Sequence, residues 1–125
     1  TAKAKLESIV HPEVQRLFEV AKKSLPKDAI VIYEIPLLAE SNSRGRFDYA
    51  ITVEADSDIR TNRLKERGLA SHEIVGRMAA QASREERIAH TDLVIENHGD
   101  EDSLLRQVEE IWQSVLLPLA KKKAI

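Results

Sequence analysis

The segment YAITVEADSDIRTNRLKERG, residues 49–68, contains the pattern that decides the fold. Its first five residues, 49–53, form a short β-prone run and predict a strand. Asp56 then stands at the N-cap position of a helix whose first turn contains Asp58, and Gly68 ends that helix. A strand followed at once by a capped helix is the repeating unit of an α/β fold.

Two more apolar runs complete this interpretation. Residues 29–33 are apolar without alternation up to Glu34 and Pro36, and residues 93–95 form a third short strand. Strands without period-two alternation are typical of a parallel sheet that is covered on both faces. Around them the sequence predicts helices over 3–24, over 72–81 with Ile74, Val75 and Met78 inward, after the Ser83 capping box, and from Asp100 to Pro118, with a loop over 40–48.

Composition excludes several classes of site. The length of 125 residues suits one domain. The charge is nearly balanced, with 19 basic and 21 acidic side chains, which argues against a domain that mainly binds nucleic acid or an anionic membrane. The chain has no Cys, which removes disulfides and thiolate chemistry, and no apolar run approaches the ~18 residues of a membrane span. Its four glycines match neither a Walker A loop nor G-x-G-x-x-G. The chain therefore carries no phosphate-cradling glycine loop of its own.

Two features carry candidate chemistry. Glu34 follows a predicted strand at the edge of a parallel sheet where ligands bind, and its carboxylate suits magnesium held through water, although a solvated strand-end Glu is the simpler reading. Six arginines between residues 60 and 87 suit phosphate oxygens, but interleaved glutamates favour a salt-bridged, solvated surface. The histidines show no zinc-ligand spacing, and Trp112 is most simply a core residue.

Four segments, taken in order, resemble the dephospho-coenzyme A kinase family. They are residues 6–14 around His11-Pro12, the E-I-P-L-L-A-E stretch 34–40, residues 63–69 together with 77–81, and the strand and turn 92–99. Order and spacing agree from end to end, so the resemblance covers essentially the whole chain.

The resemblance implies a partial P-loop nucleoside-monophosphate-kinase-like fold, α/β in class, with three layers and a parallel sheet. It implies transfer of the ATP γ-phosphate to the 3′-hydroxyl of dephospho-CoA with Mg²⁺, in the cytoplasm, with no nucleic-acid or membrane partner. The 125 residues would then form a single partial kinase domain. Its parts would be acceptor-side helices at 1–24, core segments at 29–55 and 92–125, and a helical lid region at 56–91.

The resemblance also implies roles for individual residues. Glu34 matches the metal-holding acid, with Glu where Asp is usual, and Arg63 matches a lid arginine that faces the ATP phosphates. The remaining matches are Arg67 and Asn97 on the nucleotide side and Leu37 and His11 on the acceptor side.

The family pattern begins with a strand, a Walker A loop with its lysine, and an Asp that serves as candidate base; none of these can be placed here. That strand would lie between the strands matching 29–35 and 49–53. We therefore expect this piece alone to be inactive, to lack a stable monomeric fold, and to self-associate through its open sheet. The alternatives are another small-molecule kinase of the same fold and a non-catalytic module that binds a nucleotide or a partner.

Overall fold

The computed structural model describes residues 1–36, 38–41 and 43–125. The described residues contain helices and parallel strands, as the sequence predicts, with three helices between the two strands. The elements are α1 (Ala2–Lys23), α2 (Leu38–Ser41), a 3₁₀ turn (Arg44–Arg46), β1 (Ile51–Glu54), α3 (Ser57–Glu66), α4 (Ser71–Ala80), α5 (Arg84–Ala89), β2 (Leu93–Glu96), α6 (Glu101–Ile111), a π-helical turn (Trp112–Leu116) and α7 (Leu117–Ala124).

The sheet of the described residues has two parallel strands, β1 and β2. Ile51 pairs with Leu93 and Glu54 with Glu96, so the two strands end together. The predicted strands at 49–53 and 93–95 are confirmed within a residue or two, and so is the prediction of a parallel sheet.

The predicted strand over 29–35 is wrong. Residues 30–35 have irregular backbone, and Ile32 is 78% exposed. A strand exists only when its N–H and C=O groups pair with a neighbour, and the described residues supply no ladder partner for this segment.

Most helix predictions are confirmed. Gly68 follows α3 with a φ of 89°, a conformation that costs other residues strain, and Ser83 caps α5 by accepting from the Glu86 N–H. Three details differ. The predicted loop over 40–48 includes the end of α2 and the 3₁₀ turn. Val75 is 68% exposed rather than inward, and Pro118 lies in the first turn of α7 after a π-helical turn.

The chain divides into two compact units. One comprises Thr1–Tyr33 with Gln113–Ile125, and within it the Phe18 and Tyr33 rings meet edge to face at 4.8 Å. The helix α1 of this unit contains no buried residue, and the apolar side chains at positions 6, 9, 14, 17 and 20 are 43–65% exposed.

The second unit, Glu34–Trp112, contains the sheet and the buried residues. The most buried apolar side chain is that of Ile74 on α4. The others are Ala50 before β1, Ile95 on β2 and Ile111 on α6. The amide of Gln107 on α6 accepts from the Glu96 N–H and donates to the Glu96 carbonyl, which attaches α6 to the end of β2.

Asp92 fastens the start of the sheet. Its carboxylate accepts from the Ala50 N–H at 2.7 Å and pairs with Arg44, whose guanidinium also donates to the Phe47 carbonyl. The Ala50 amide, helped by Arg44, lowers the pKa of Asp92. The segment before β1 is thus tied to the residue before β2.

Candidate functional site at the carboxyl edge of the sheet

The carboxyl ends of β1 and β2 place polar side chains at one edge of the sheet. Glu54 ends β1, Glu96 ends β2, and the two are register partners. The residues that follow, among them Asp56 and Asn97, continue from the same edge. In open α/β sheets this edge is where ligands bind.

Arg63 and Asn97, two of the residues predicted for the nucleotide side, meet at this edge. Arg63 lies in the last turn of α3, half-buried, and its Nη1 donates to the Asn97 carbonyl oxygen at 2.8 Å. The Asn97 N–H in turn donates to the Glu54 carbonyl oxygen at 2.7 Å. One of the five guanidinium N–H groups therefore anchors Arg63 to the strand ends, which orients the rest of the group.

The other predicted residues occupy different positions. Arg67 is the exposed C-cap of α3, one turn beyond Arg63. Glu34 is exposed and lies in irregular backbone rather than at the end of a strand, and His11 is exposed on α1 of the other unit. Leu37 lies outside the described residues. The roles of these residues stay predictions.

The described residues offer few side chains that could bind magnesium directly. The described residues contain no cluster of three or more acidic or histidine side chains that could hold a metal ion. Mg²⁺, however, keeps several waters and is bound by one or two carboxylates together with substrate phosphates. Glu34 has an exposed carboxylate, the kind of hard oxygen donor that water-mediated Mg²⁺ binding uses, and its role at a metal stays a prediction.

Among the side chains that the structure describes, Glu54 is the most buried charged one, at 2% exposed, and both of its carboxylate oxygens accept hydrogen bonds. Arg87 on α5 donates two hydrogen bonds to this carboxylate, from Nε to Oε1 at 2.8 Å and from Nη2 to Oε2 at 2.7 Å. The Thr52 hydroxyl donates to Oε1 at 2.8 Å. The Arg87 bonds, with help from Thr52 and the charge of Arg84, lower the pKa of Glu54 although burial opposes the shift. The carboxylate is therefore charged in the fold.

Arg87 also holds the turn that leads from α4 to α5. Its Nη1 donates to the Ala82 carbonyl at 2.5 Å, and Arg60 on α3 donates to the Gln81 side chain at 2.5 Å. The turn between α4 and α5 is thus held by guanidiniums from two elements. One side chain, Arg87, connects this turn to the buried end of β1.

Glu96 forms the second ion-pair group of the edge. Arg84 donates to its Oε1 at 2.5 Å, and His98 Nε2 lies 2.5 Å from its Oε2. The Asp56 N–H donates to His98 Nδ1 at 3.2 Å, which assigns the ring proton to Nε2 beside the carboxylate. The hydrogen bond from Arg84 lowers the pKa of Glu96, and the contact with His98 lowers it further by a smaller amount.

Sequence reasoning missed these acids and misassigned the partners of the arginines. Arg84 and Arg87 were expected to pair with neighbouring glutamates on a solvated surface, yet they bind Glu54 and Glu96. The neighbouring Glu86 instead accepts from the Ser83 N–H in the capping box of α5. The sequence does show a Glu at the end of each strand. Only the folded structure shows that Glu54 pairs with Arg87, which lies 33 residues away.

Comparisons with known proteins agree with this architecture. The family model for dephospho-CoA kinase matches residues 1–103. A dephospho-CoA kinase of Frankia casuarinae is 38% identical over 117 residues, which cover 92% of this chain and 50% of the relative. The dephospho-CoA kinase of Thermobifida fusca is 34% identical, and the match covers 92% of this chain and 58% of that relative. The one from Mycobacterium tuberculosis is 37% identical, and the match covers 95% of this chain and 30% of that relative.

The crystal structure of TT1252 from Thermus thermophilus has the same fold, with a TM-score of 0.76 at 34% identity over 90% of this chain and 59% of that one. This supports the predicted fold class, a part of a P-loop nucleoside-monophosphate-kinase-like α/β fold. The chain spans about half the length of the first two curated relatives. Over the part that it spans, the chain belongs to the dephospho-CoA kinase family.

Proposed function

We propose that this chain works as part of a dephospho-CoA kinase, which transfers the γ-phosphate of ATP to the 3′-hydroxyl of dephospho-CoA. The observation that carries the proposal is the Arg63 guanidinium fixed against Asn97 at the carboxyl edge of a parallel sheet. In a chain of this family, that position suits an arginine that faces transferring phosphate. Among the residues that the structure describes, we find no helix suited to span a membrane. The proposal also places the reaction in the cytoplasm, as the resemblance implies.

In the proposed reaction, the 3′-oxygen forms a bond to the γ-phosphorus while the bond to the β,γ-bridging oxygen breaks and ADP leaves. The hydroxyl proton passes to a base that we expect in the part of the family pattern with no match here. Charge on the transferring group is the main demand on the protein, and a preoriented guanidinium meets it without reorganising. Arg63 supplies this charge in our proposal, with Arg67 one turn along α3.

The other assignments belong to the same proposal. Asn97 lines the nucleotide base pocket, and Leu37 and His11 lie on the acceptor side. Glu34 holds Mg²⁺ through water, and the ion would neutralise charge on the ATP phosphates. The division into acceptor-side helices (1–24), core (29–55 and 92–125) and lid (56–91) is likewise proposed, as is self-association of the isolated piece through unpaired strand edges.

The deciding experiment reads the coding sequence upstream of Thr1 and assays the full-length product. We expect a Walker A motif there, and formation of ADP and CoA from ATP and dephospho-CoA. CoA itself is the matched control acceptor, because its 3′-hydroxyl already carries phosphate. Nucleotide binding without transfer would favour a non-catalytic module, and transfer to another acceptor would favour a related kinase.

A further inference from the structure

The end of β1 is the point at which two parts of the edge are joined. The side chain of Glu54 binds Arg87 of α5, and its backbone carbonyl accepts from the Asn97 N–H. The Asn97 carbonyl then accepts from Arg63. A single buried residue thus connects α5 to the group that orients Arg63.

We propose that Glu54 and Arg87 are a positioning pair that sets the guanidinium of Arg63. The pair touches no reacting atom; it acts through the Asn97 backbone. This inference rests on the proposed function only for the readout by activity, since the contacts themselves are independent of the substrate.

The cost of this arrangement supports a positioning role. Burying a carboxylate and a guanidinium requires desolvation that an apolar pair of similar size would avoid, and replacing buried ion pairs by apolar residues is often neutral or stabilising. Stability alone therefore gives a weak reason for an ion pair here. Its two-pronged geometry, by contrast, fixes the angle between α5 and the strand end, which a pair of aliphatic side chains would leave loose.

The same geometry explains why the pair can reach Arg63. Arg87 lies on α5 with its side chain 22% exposed, whereas the Glu54 side chain is 1% exposed. Movement of the Glu54 backbone would carry the Asn97 turn with it, because their bond is short, at 2.7 Å. A displacement of about 1 Å at a catalytic group can cost about 100-fold in rate.

The test uses the full-length protein with the double substitution Glu54→Met and Arg87→Met. Because both charges are removed together, we expect the protein to fold. We expect kcat to fall about 10- to 100-fold while KM for dephospho-CoA changes less than about threefold. Arg106→Met, at an exposed arginine on α6, is the matched control and should leave both constants unchanged. A folded double variant with normal kcat would overturn the proposal.

A second comparison tests whether the pair acts through Arg63. Adding Arg63→Ala to the double variant should lower kcat no further than Arg63→Ala alone, because the two changes remove the same interaction. Losses that multiply would show independent roles and contradict the proposal. Arg87→Lys, which keeps the charge but loses the fork, should show an intermediate loss of kcat.

A readout without activity separates this inference from the proposed function. In a crystal structure of the double variant, we expect the Arg63 guanidinium to leave the Asn97 carbonyl. If that bond keeps its length of 2.8 Å, the positioning role is wrong whatever the enzyme does. Failure of the proposed function would appear instead in the unmodified protein, as absent CoA formation.

Discussion

Three tetrapeptides in this chain share one pattern, a run of three strand-prone residues followed by Glu, yet they reach different states. Residues 51–54 and 93–96 pair as β1 and β2, whereas residues 31–34 form no strand. Glu54 is 2% exposed and Ile95 7%, but Ile32 is 78% exposed. A strand-prone run therefore becomes a strand only with a neighbour to pair with, and the Glu54 that ends one such strand is buried against Arg87 of α5.

The greatest effect is expected for residues 30–35, which form no strand. Ile32 is 78% exposed, so this apolar run adds little burial to a chain whose net stability, like that of any domain, would be only about 5–15 kcal/mol. We expect the isolated 125-residue chain to show no cooperative thermal unfolding as a monomer, and amides 30–35 to exchange with solvent much faster than those of β1 and β2. Calorimetry, light scattering and hydrogen exchange measure this. A cooperative monomer with protected amides at 30–35 would contradict it.

At the paired edge, removing one partner of the buried ion pair should cost most. Arg87→Met in the full-length protein removes the forked bond to the buried Glu54 carboxylate, while the Thr52 hydroxyl and the charge of Arg84 remain, and we expect the free energy of unfolding to drop by about 3 kcal/mol. Chemical denaturation measures it, with Arg106→Met expected within about 0.5 kcal/mol of the unmodified protein. An Arg87→Met protein as stable as that control would mean that solvent reaches Glu54.

Arg63→Ala should act on rate rather than on binding. We expect kcat of the full-length enzyme to fall about 100-fold while the dissociation constant for dephospho-CoA changes little, because the lost charge serves the transferring phosphoryl group. Steady-state kinetics and calorimetric binding separate the two. Unchanged turnover would return Arg63 to a structural role at the carboxyl edge.

Acid should loosen the paired region through carboxylates whose pKa values are lowered in the fold. Arg87 lowers the pKa of Glu54, and the Ala50 amide lowers the pKa of Asp92. Each ionised carboxylate therefore stabilises the fold at pH values above its pKa in the unfolded chain. That stability is lost as the pH falls through the lower pKa of the folded protein. We expect the free energy of unfolding to decline below about pH 5. Asp92→Asn should flatten part of this decline; an unchanged pH profile for that variant would argue against the Asp92 contribution.

The smallest effect is expected at the exposed acid. Glu34→Gln should raise the magnesium concentration needed for half-maximal activity without changing stability, because its side chain is exposed. A magnesium titration of the full-length enzyme measures the shift, and Glu7→Gln, at a glutamate of α1 whose side chain is 45% exposed, is the control. Superimposable titration curves for Glu34→Gln and the unmodified protein would remove Glu34 from the metal site.

Local signals predicted most of the helices correctly. The capping box at Ser83 and the stop at Gly68 are contacts within a few residues, so the sequence alone specifies them. The inward face of α4 was predicted only in part: Ile74 is buried, but Val75 is 68% exposed. A helical period defines a face, whereas the width of that face depends on what packs against it.

The candidate site divides in the same way. Arg63 and Asn97 were identified from a resemblance, and the structure joins them by a bond across 34 residues. Glu54 and its partner Arg87 were not identified, because no local pattern distinguishes a buried, forked ion pair from a surface one. Glu34 was identified for its place at a strand end, and the described backbone forms no strand there.

The amino-acid sequence alone was enough to predict the α/β class, the caps of individual helices and the family, because caps, glycine stops and ordered motifs are properties of neighbouring residues. The tertiary structure alone decided which of three similar segments became strands and which glutamate became a buried anion. Both outcomes follow from contacts between distant residues: a ladder partner for the backbone in one case, and a guanidinium from another helix in the other.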